Sequence, residues 1–552
     1  MLTVHCALLA WAAARSSPTW DEIGHLVAGM SHWKFGRFDM YPVNPPLVRM
    51  VAALPMAIAR PETDWPSYED RPGVRGGMTV LQRHFVEANG QRLFFLLSLG
   101  RWACIPFSLI GALTCFAWAR ELYGRSAGLA AMCLWCFDPN ILALGHMITP
   151  DAGAAALGVA AAYAFWRWLK EPGWLAALAT GLALGLAELT KTTWILLLPL
   201  WPLLWVLWRL LVRKGTAEPG RKPSAPQLLV VLLLGVGVLH CGYGFEGSFT
   251  RLGDYPFISQ ALSGSAHPYG ERPATANRFR ETWLADLPVP LPKNYVMGID
   301  FQKHDFEQRM WSYLRGQWRL GGWWYYYLYA LAVKLPLGTW VLVFLAAGAT
   351  LLDRRYSATP ADELVLFAPV AVVLTVVSWH TGFNHHLRYV LPILPFAFIW
   401  MSKIARSVDL WHPRLAALAA LALAGSIGSS LWTYPHSLSY FNELTGGPRH
   451  GPAHLLDSNM DWGQDLVYLI EWLDRHPEAR PIGVAYFGSY DPREVGIDYV
   501  PVPESRPQPG WYAVSVGNTY SFDQRYAYFL RFAPVASAGY SIRIYHITDA
   551  ED

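Results

Sequence analysis

Two acidic sites combine residue type and position in a way that favours acid–base chemistry. Asp21 and Glu22 follow the first apolar stretch within a few residues, and Asp151 opens a later apolar stretch. Two carboxylates on one side of a membrane can serve as a general base and its orienting partner. The alternatives are an ordinary solvated carboxylate at either site and, for Asp151, a charge that complements the amino end of a helix.

Basic side chains also lie at the ends of apolar stretches. Lys191, Lys334 and Arg388 each border such a stretch, and His385 and His386 come shortly before Arg388. Arginine offers a planar fork that fits phosphate oxygens, and lysine offers a point charge. Together with nearby carboxylates, these residues predict a site for a lipid-linked phosphate at a membrane surface. For Lys334 and Arg388 the alternative is snorkelling to the membrane interface.

Metal binding and the common nucleotide motifs find little support in the sequence. No pair of histidines has firm ligand spacing, so we expect no required cofactor and keep a divalent metal as an alternative. The chain contains no P-loop, no G-x-S-x-G motif and no dinucleotide-binding fingerprint. The net charge of +3 is too small to indicate a nucleic-acid partner. The six cysteines lie in apolar stretches and form no plausible disulfide framework.

The elements that must position these residues are apolar and long. Hydrophobic residues make up 53% of the 552 residues, and charged residues only 15%. A spanning helix needs about 20 mainly apolar residues, so we predict an α-helical polytopic membrane protein. The eleven candidate spans are residues 2–14, 102–119, 127–144, 152–169, 174–189, 194–211, 228–243, 335–352, 364–379, 389–401 and 415–432. For the first stretch, which is short, a cleaved signal peptide is the alternative.

Every second connection between these stretches carries arginine and lysine, which predicts that these connections face the cytoplasm. The residues concerned are Arg120, Arg125, Arg167, Lys170, Arg209, Arg213, Lys214, Arg221, Lys222, Arg354, Arg355, Lys403, Arg406 and Arg414. The opposite, outer side of the cytoplasmic membrane then receives residues 16–100, 145–151, 190–193, 244–334, 380–388 and the carboxy-terminal part. All candidate acidic and basic site residues fall on that outer side.

The chain divides into a predicted membrane domain, residues 1–432, and a small α/β domain on the outer side, residues 433–552. Two long outer loops, 16–100 and 244–334, belong to the membrane domain, and residues 215–226 form a cytoplasmic linker. In the α/β domain we predict a helix over 461–475 and strands over 482–487, 511–516 and 542–547. The polar segment 457–465 either reaches the site or forms the capped start of that helix.

Several motifs resemble one known family. The series Asp21-Glu22, His25 and Asn44-Pro45-Pro46-Leu47 is similar to the first outer loop of polyprenyl-phosphate-dependent glycosyltransferases with the GT-C fold. This group includes protein O-mannosyltransferases and bacterial aminoarabinose transferases of lipid A. Further segments that resemble the family are Thr149-Pro150-Asp151, Leu189-Thr190-Lys191, residues 388–392, and, for a branch with a carboxy-terminal outer domain, residues 440–443 and 457–465.

The resemblance implies a sugar transfer from a polyprenyl phosphate to a lipid, glycan or protein acceptor, with inversion at the anomeric carbon. Asp21 would be the base, Glu22 its support and Asp151 an orienting residue. The remaining implied residues are a donor-phosphate group of Lys191, Lys334, Arg388 and His385 and a pocket group of His25, Asn44 and Tyr389. The alternatives are a transporter or flippase for a lipid-linked substrate, and a non-catalytic assembly protein.

Overall fold

The computed structural model describes residues 1–66, 75–213, 222–265, 275–379, 381–504, 506 and 508–548. Most of the predicted linker 215–226 therefore lies outside the described residues. The described chain is mainly helical. Its α-helices are α1 Leu2–Ala14, α2 Glu22–Phe35, α3 Leu47–Ala53, α4 Met56–Ala59, α5 Arg75–Asn89, α6 Arg92–Tyr123, α7 Arg125–Phe137, α8 Pro139–Leu144, α9 Pro150–Lys170, α10 Trp174–Glu188, α11 Leu197–Arg213, α12 Ala225–Gly242, α13 Gln260–Ser263, α14 Lys293–Glu307, α15 Tyr326–Lys334, α16 Leu337–Leu352, α17 Pro360–Trp379, α18 Leu394–Met401, α19 Arg406–Asp409, α20 Pro413–Thr433, α21 Leu466–Arg475 and α22 Val516–Thr519.

The predicted class, an α-helical polytopic membrane protein, is confirmed, but the number of full-length spans differs. All eleven apolar stretches are wholly or largely helical. By length and composition, six helices in the described part of the chain can cross a membrane, or seven if the pair α15 and α16, bent by 109°, counts as one. Among the other stretches, 2–14 and 174–189 form shorter helices, 127–144 is interrupted, and 152–169 lies in α9, which is long enough but is not one of the six by composition. In 127–144, for example, Asp138 ends α7 in an extended conformation and its side chain caps α8.

Large aromatic side chains pack against glycines where the central helices meet. The Trp135 ring of α7 lies against Gly111 of α6, and the Trp194 ring lies against Gly158 of α9, where a Cβ atom would clash. The Trp194 Nε1 donates a hydrogen bond of 2.9 Å to the carbonyl of Ala154 in α9. Because Trp194 is three residues beyond Lys191, this contact holds the Lys191 backbone beside the start of α9.

Helix α2 packs on α3 through a close backbone approach. A Cβ atom at Gly29 would lie 2.0 Å from the carbonyl oxygen of Arg49, so only glycine fits there. The helix ends at Gly36, which adopts a left-handed conformation with φ of 63°. Such a φ is accessible to glycine at little cost. The resulting layer of α2, α3 and α5 covers the amino-terminal ends of α6 and α9.

The carboxy-terminal α/β part contains a four-stranded sheet in the order β3-β4-β6-β5. Its strands are β3 Ile482–Ala485, β4 Gly510–Ser515, β5 Ala536–Ala538 and β6 Ile542–Ile547, whereas β1 Trp311–Leu314 and β2 Gln317–Leu320 form a separate hairpin. The pair β3–β4 is parallel and the pairs β4–β6 and β5–β6 are antiparallel. Three strands were predicted, and β5 was not. The predicted helix begins at residue 466 and not at 461, because residues 461–465 form turns and bends and are not helical.

Candidate functional site

Arg388 lies between the two predicted acidic residues. Its Nη2 donates a hydrogen bond of 2.9 Å to Asp21 Oδ2, and its Nη1 lies 3.6 Å from Asp151 Oδ2. Lys191 Nζ donates a hydrogen bond of 2.7 Å to the other oxygen of Asp151. The structure thus joins four side chains of alternating charge, in the order Asp21, Arg388, Asp151, Lys191. We call this arrangement the charged row.

Each member of the charged row sits at the end of a helical element. Asp21 is the residue before α2, Asp151 lies in the first turn of α9, and Lys191 is extended between α10 and a 3-10 turn. Arg388 lies in the 3-10 turn Leu387–Tyr389. Asp151 is only 1% exposed, and a buried carboxylate without a cationic partner is strongly destabilising. Lys191 and Arg388 supply that partner.

The 457–465 segment reaches this site. The guanidinium of Arg388 lies 4.4 Å from the ring centroid of Trp462, in a cation–π arrangement. Asn459 donates to the carbonyl of His385 at 2.6 Å and accepts the backbone N–H of Leu387 at 2.9 Å. Of the two alternatives for this segment, the helix-start reading is therefore wrong, because the segment fixes the turn that carries Arg388.

The two histidines before Arg388 have different surroundings. His386 contacts Asp457 at 3.2 Å and Ser458 Oγ at 2.5 Å, so it ties the Arg388 turn to the 457–465 segment. His385 instead makes a hydrogen bond of 2.6 Å with the carbonyl of Trp311. This hydrogen bond directs the His385 ring toward the Trp311 backbone, and the predicted contact of His385 with the donor phosphate stays a prediction.

Glu22, the predicted support of Asp21, is hydrogen-bonded within the chain. Its fully buried carboxylate accepts two hydrogen bonds from Arg101, at 2.8 Å and 2.5 Å. The backbone N–H groups of Thr19 and Ile148 donate to the same carboxylate. Burial raises the pKa of Glu22, but Arg101 outweighs this effect and holds the pKa below its ordinary value. Both oxygens of Glu22 thus have partners within the chain, which suits positioning of the Asp21 turn, and its predicted role as a support for Asp21 stays a prediction.

Lys334 is likewise held by the chain. Its Nζ donates to the backbone carbonyls of Leu438 at 2.8 Å and Asn459 at 2.6 Å, and it lies 4.6 Å from the ring centroid of Phe441. These contacts occupy most of the hydrogen-bonding capacity of the ammonium group. Lys334 therefore holds the 457–465 segment in this structure, and its predicted role in phosphate binding stays a prediction.

Two of the predicted pocket residues lie behind the charged row. His25 is buried one turn along α2 from Asp21, and its ring centroid lies 4.8 Å from that of Tyr41. Burial lowers the pKa of His25 well below its ordinary value, and Arg49 and Arg388 lower it further. Asn44 accepts a hydrogen bond from Arg49 through its backbone carbonyl. Both residues support the loop around Asp21, and neither lines a cavity described below.

Two cavities flank the charged row. The apolar cavity, of about 210 Å³, is lined by Lys191, Thr192, Thr193, Ile195, Leu196, Ile299, Gln302, Lys303, Phe306, Val373, Val376, Val377 and Tyr389. The polar cavity, of about 610 Å³, is lined by Trp20, Asp21, Gln82, Arg83, Val86, Glu87, Gly488, Ser489, Tyr490, Asp491 and Glu494. Of the predicted site residues, Lys191 and Tyr389 thus face one cavity, and Asp21 faces the other.

Arg101, Asn459 and Trp462 support the site, and the sequence analysis predicted no role for them. Arg101 carried a usable signal, because an arginine at the edge of an apolar stretch normally has a partner. Asn459 and Trp462 carried only the signal of their segment, which is polar and resembles part of the family. Within the ranges that the structure describes, no group of three or more His, Cys, Asp and Glu residues is arranged to hold a metal ion. The metal requirement stays a prediction.

Comparison with known proteins bears on the helical part. Residues 94–239 match the model of a family described as dolichyl-phosphate-mannose-protein mannosyltransferase. No curated protein matches the chain. Similar solved structures include ArnT from Cupriavidus metallidurans bound to undecaprenyl phosphate, at 14% identity, covering 98% of this chain and 96% of that chain, with a TM-score of 0.44. The apo state of ArnT has a TM-score of 0.42 at the same identity and coverage.

A third solved structure is the Archaeoglobus fulgidus oligosaccharyltransferase in complex with Zn and sulfate. The identity is 12%, the match covers 77% of this chain and 53% of that chain, and the TM-score is 0.40. The family match spans α6 to α12, the helices that carry Asp151 and surround Lys191. Over residues 94–239, the match agrees with the predicted resemblance to protein mannosyltransferases.

Proposed function

We propose that the protein is a membrane glycosyltransferase that moves a sugar from a polyprenyl phosphate to an acceptor at the outer face of the cytoplasmic membrane. The charged row carries this proposal, because it separates an apolar cavity from a polar one. The apolar cavity borders α17 and the turn before α11, both in candidate membrane spans. A lipid chain can therefore enter from the bilayer, while a water-soluble acceptor group enters from the other side.

The donor phosphate would lie at the Lys191 end of the apolar cavity. Lys191 and Lys303 both line this cavity and offer ammonium groups. The Nε of Arg388 is buried and has no hydrogen-bond partner among the described residues, so a phosphate oxygen can accept from it. Arginine and lysine are the side chains that proteins use most for phosphate. The match to a family described as dolichyl-phosphate-mannose-protein mannosyltransferase supports a lipid phosphate donor.

The reaction follows from the position of Asp21 beside the polar cavity. The Asp21 carboxylate takes the proton from the acceptor hydroxyl, and the hydroxyl oxygen forms a bond to the anomeric carbon. The bond between that carbon and the phosphate oxygen breaks, and its electron pair leaves with the lipid phosphate. Attack opposite the leaving phosphate inverts the anomeric carbon. Arg388 and Lys191 stabilise the charge that develops on the phosphate.

Asp151 acts through the two cations that it contacts. Its two oxygens face Lys191 and Arg388, so it fixes the distance between the two phosphate-binding groups. A second carboxylate acting on the leaving group is unnecessary, because a phosphate leaves without prior protonation. This arrangement differs from that of inverting hydrolases, in which an acid protonates the leaving oxygen.

The proposal is tested with purified protein in lipid vesicles and a polyprenyl phosphate mannose labelled in the sugar. We expect loss of donor and release of unglycosylated polyprenyl phosphate. Asp21→Asn should slow this reaction by about 100-fold or more, the range that a general base contributes. Asp286→Asn is the matched control, because Asp286 also pairs with an arginine, Arg251, but at an exposed position.

Two outcomes would contradict the proposal. Normal turnover by folded Asp21→Asn protein would remove Asp21 as the base. Movement of the intact labelled lipid between leaflets, with no loss of the sugar, would favour the flippase alternative.

A further inference from the structure

The polar cavity is formed by two parts of the chain that are far apart in sequence. Trp20, Asp21 and the α5 residues Arg83 and Glu87 form one wall. The loop before and after Asp491, in the carboxy-terminal α/β part, forms the other wall. The volume of about 610 Å³ is enough for a small sugar or a short peptide segment beside Asp21.

The charge of this cavity is strongly one-sided. Among the described residues, four carboxylates line it, those of Asp21, Glu87, Asp491 and Glu494, against one guanidinium, that of Arg83. Asp21 is compensated by Arg388 at 2.9 Å, and Asp491 lies 3.5 Å from the guanidinium of its neighbour Arg493. In the part of the chain that the structure describes, no ion pair neutralises Glu87 or Glu494. These two residues therefore set the electrostatic potential at the mouth of the cavity.

The apolar cavity has the opposite charge. Among the described residues that line it, the charged ones are Lys191 and Lys303, both cations, and Lys191 is paired with Asp151 at 2.7 Å. Lys303 also contacts Glu307 at 3.7 Å, outside the lining. The site thus separates a basic side, suited to a phosphate, from an acidic side. A phosphate group on the acidic side would face like charges and would be drawn toward the basic side.

We infer that the acceptor presents an uncharged or cationic group at its reacting end, and that phosphate-bearing acceptors are rejected. This inference rests on the proposed function and specifies its acceptor class. An acceptor hydroxyl next to an amine or an uncharged sugar ring meets Glu87 and Glu494 without repulsion. A phosphorylated sugar placed near Asp21 meets both carboxylates, and rejection by like charge is a common source of specificity.

An aromatic surface beside Asp21 completes the acceptor site. The Trp20 ring is 45% exposed and stacks on Phe487, with ring centroids 5.4 Å apart. Because Trp20 precedes Asp21 directly, a ring or aliphatic segment that packs on Trp20 has its polar groups next to the base. Such packing selects acceptors by their shape, whereas the acidic residues discriminate between neutral and anionic acceptors.

The test compares three acceptors that differ only in charge: octyl glucoside, its 6-amino-6-deoxy derivative and its 6-phosphate. The donor is labelled polyprenyl phosphate mannose, and both donor loss and labelled product are measured. We expect transfer to the neutral and amino acceptors and about tenfold less to the phosphate, because Glu87 and Glu494 together outweigh the one guanidinium of Arg83 at partly exposed positions. The double variant Glu87→Lys, Glu494→Lys should raise the ratio of phosphate to amino acceptor transfer. Glu478→Lys, an exposed change elsewhere in the α/β part, should leave this ratio unchanged.

The two proposals fail in different ways. If donor is consumed, or hydrolysed by water, while the phosphate acceptor reacts as well as the neutral one, only the acceptor inference is overturned. An unchanged acceptor ratio in folded double-variant protein overturns it as well. If no donor is lost with any acceptor or with water, the proposed function and the acceptor inference are both overturned.

Discussion

Arg388 and Asp21 are 367 positions apart in the chain, yet their side chains are joined by a hydrogen bond of 2.9 Å. In this state Arg388, which we propose binds the donor phosphate, neutralises the charge of Asp21, the proposed base. A donor phosphate that draws the guanidinium away from Asp21 would leave the carboxylate free to accept a proton. Donor binding and activation of the base would then be coupled through one side chain.

The first prediction concerns the fork of Arg388. Arg388→Lys keeps the positive charge but cannot reach Asp21, Asp151 and a phosphate at the same time. We expect kcat/KM for the polyprenyl phosphate donor to fall by about 10-fold to 100-fold, in line with the loss of one charge-assisted hydrogen-bonding group. Arg251→Lys, at the exposed pair with Asp286, is the control and should have no effect. Equal kinetics for both variants would show that the charge of Arg388 suffices.

A second prediction concerns the stability that Glu22 provides. Glu22→Gln leaves the buried guanidinium of Arg101 without its anionic partner, which typically destabilises a protein by about 3–5 kcal/mol. We expect a clear fall in the thermal unfolding temperature in detergent, together with lower activity from unfolded protein. The measurement is a thermal unfolding scan monitored by tryptophan fluorescence.

The exposed pair Arg15–Glu471 is a matched control for this experiment. Its hydrogen bonds are as short, at 2.5 Å and 2.8 Å, but both side chains are about one-third exposed. Exposed ion pairs contribute about 0–1 kcal/mol, so Glu471→Gln should change the unfolding temperature little. If both variants were equally stable, the assignment of Glu22 to positioning would be wrong.

The third prediction concerns pH. Burial raises the pKa of Asp461 to about 8, although the N–H groups of Gly463 and Gly517 donate to the carboxylate. In the unfolded chain an aspartate has a pKa of about 3.9. Between these values the folded state keeps a proton that the unfolded state has lost. The free energy of unfolding therefore falls as the pH rises from about 4 to about 8, by at most about 1.4 kcal/mol per pH unit, and then levels off.

Asp461→Asn removes this titration, so its unfolding temperature should change less between pH 6 and pH 8 than that of the wild type. Asp474→Asn, at an exposed position on α21, should keep the wild-type slope. An identical slope in the Asp461 variant would mean that Asp461 is ionised throughout this range.

A fourth prediction concerns the apolar cavity. Val377→Trp, on α17, fills part of its volume of about 210 Å³ with a large side chain. We expect the KM for the polyprenyl phosphate donor to rise by at least about tenfold, because the added side chain occupies volume that the lipid chain would fill. Leu351→Trp, at an exposed position of α16, is the control for the added tryptophan. A normal KM in Val377→Trp would exclude this cavity as the lipid site.

Much of the charged row could be predicted from the sequence, because the signal lies in the segment next to each residue. Asp21, Asp151, Lys191 and Arg388 all lie where an apolar stretch begins or ends, and the alternation of basic connections assigns those ends to one side. Charged residues are costly inside a membrane, so their positions along the chain mark the ends of helices. Residues at helix ends on the same side of the membrane share a limited area, so their side chains are more easily brought into contact.

The roles of Glu22, Lys334 and His385 required the tertiary structure. Their residue types are as suited to catalysis or phosphate binding as those of the charged row. What distinguishes them is that other groups already occupy their polar atoms, namely Arg101 for Glu22, two carbonyls for Lys334 and the Trp311 carbonyl for His385. These contacts join positions 74 or more residues apart, and no periodicity in the sequence records them.

The sequence by itself determined the helical membrane class, the ends at which charge collects and the residue types available for catalysis, because hydrophobic length and local charge pattern are properties of single segments. Only the tertiary structure decided that the 457–465 segment lies on the Arg388 turn and that Glu22 is a buried partner of Arg101. The physical reason is that an ion pair or a cavity exists only where distant segments pack together.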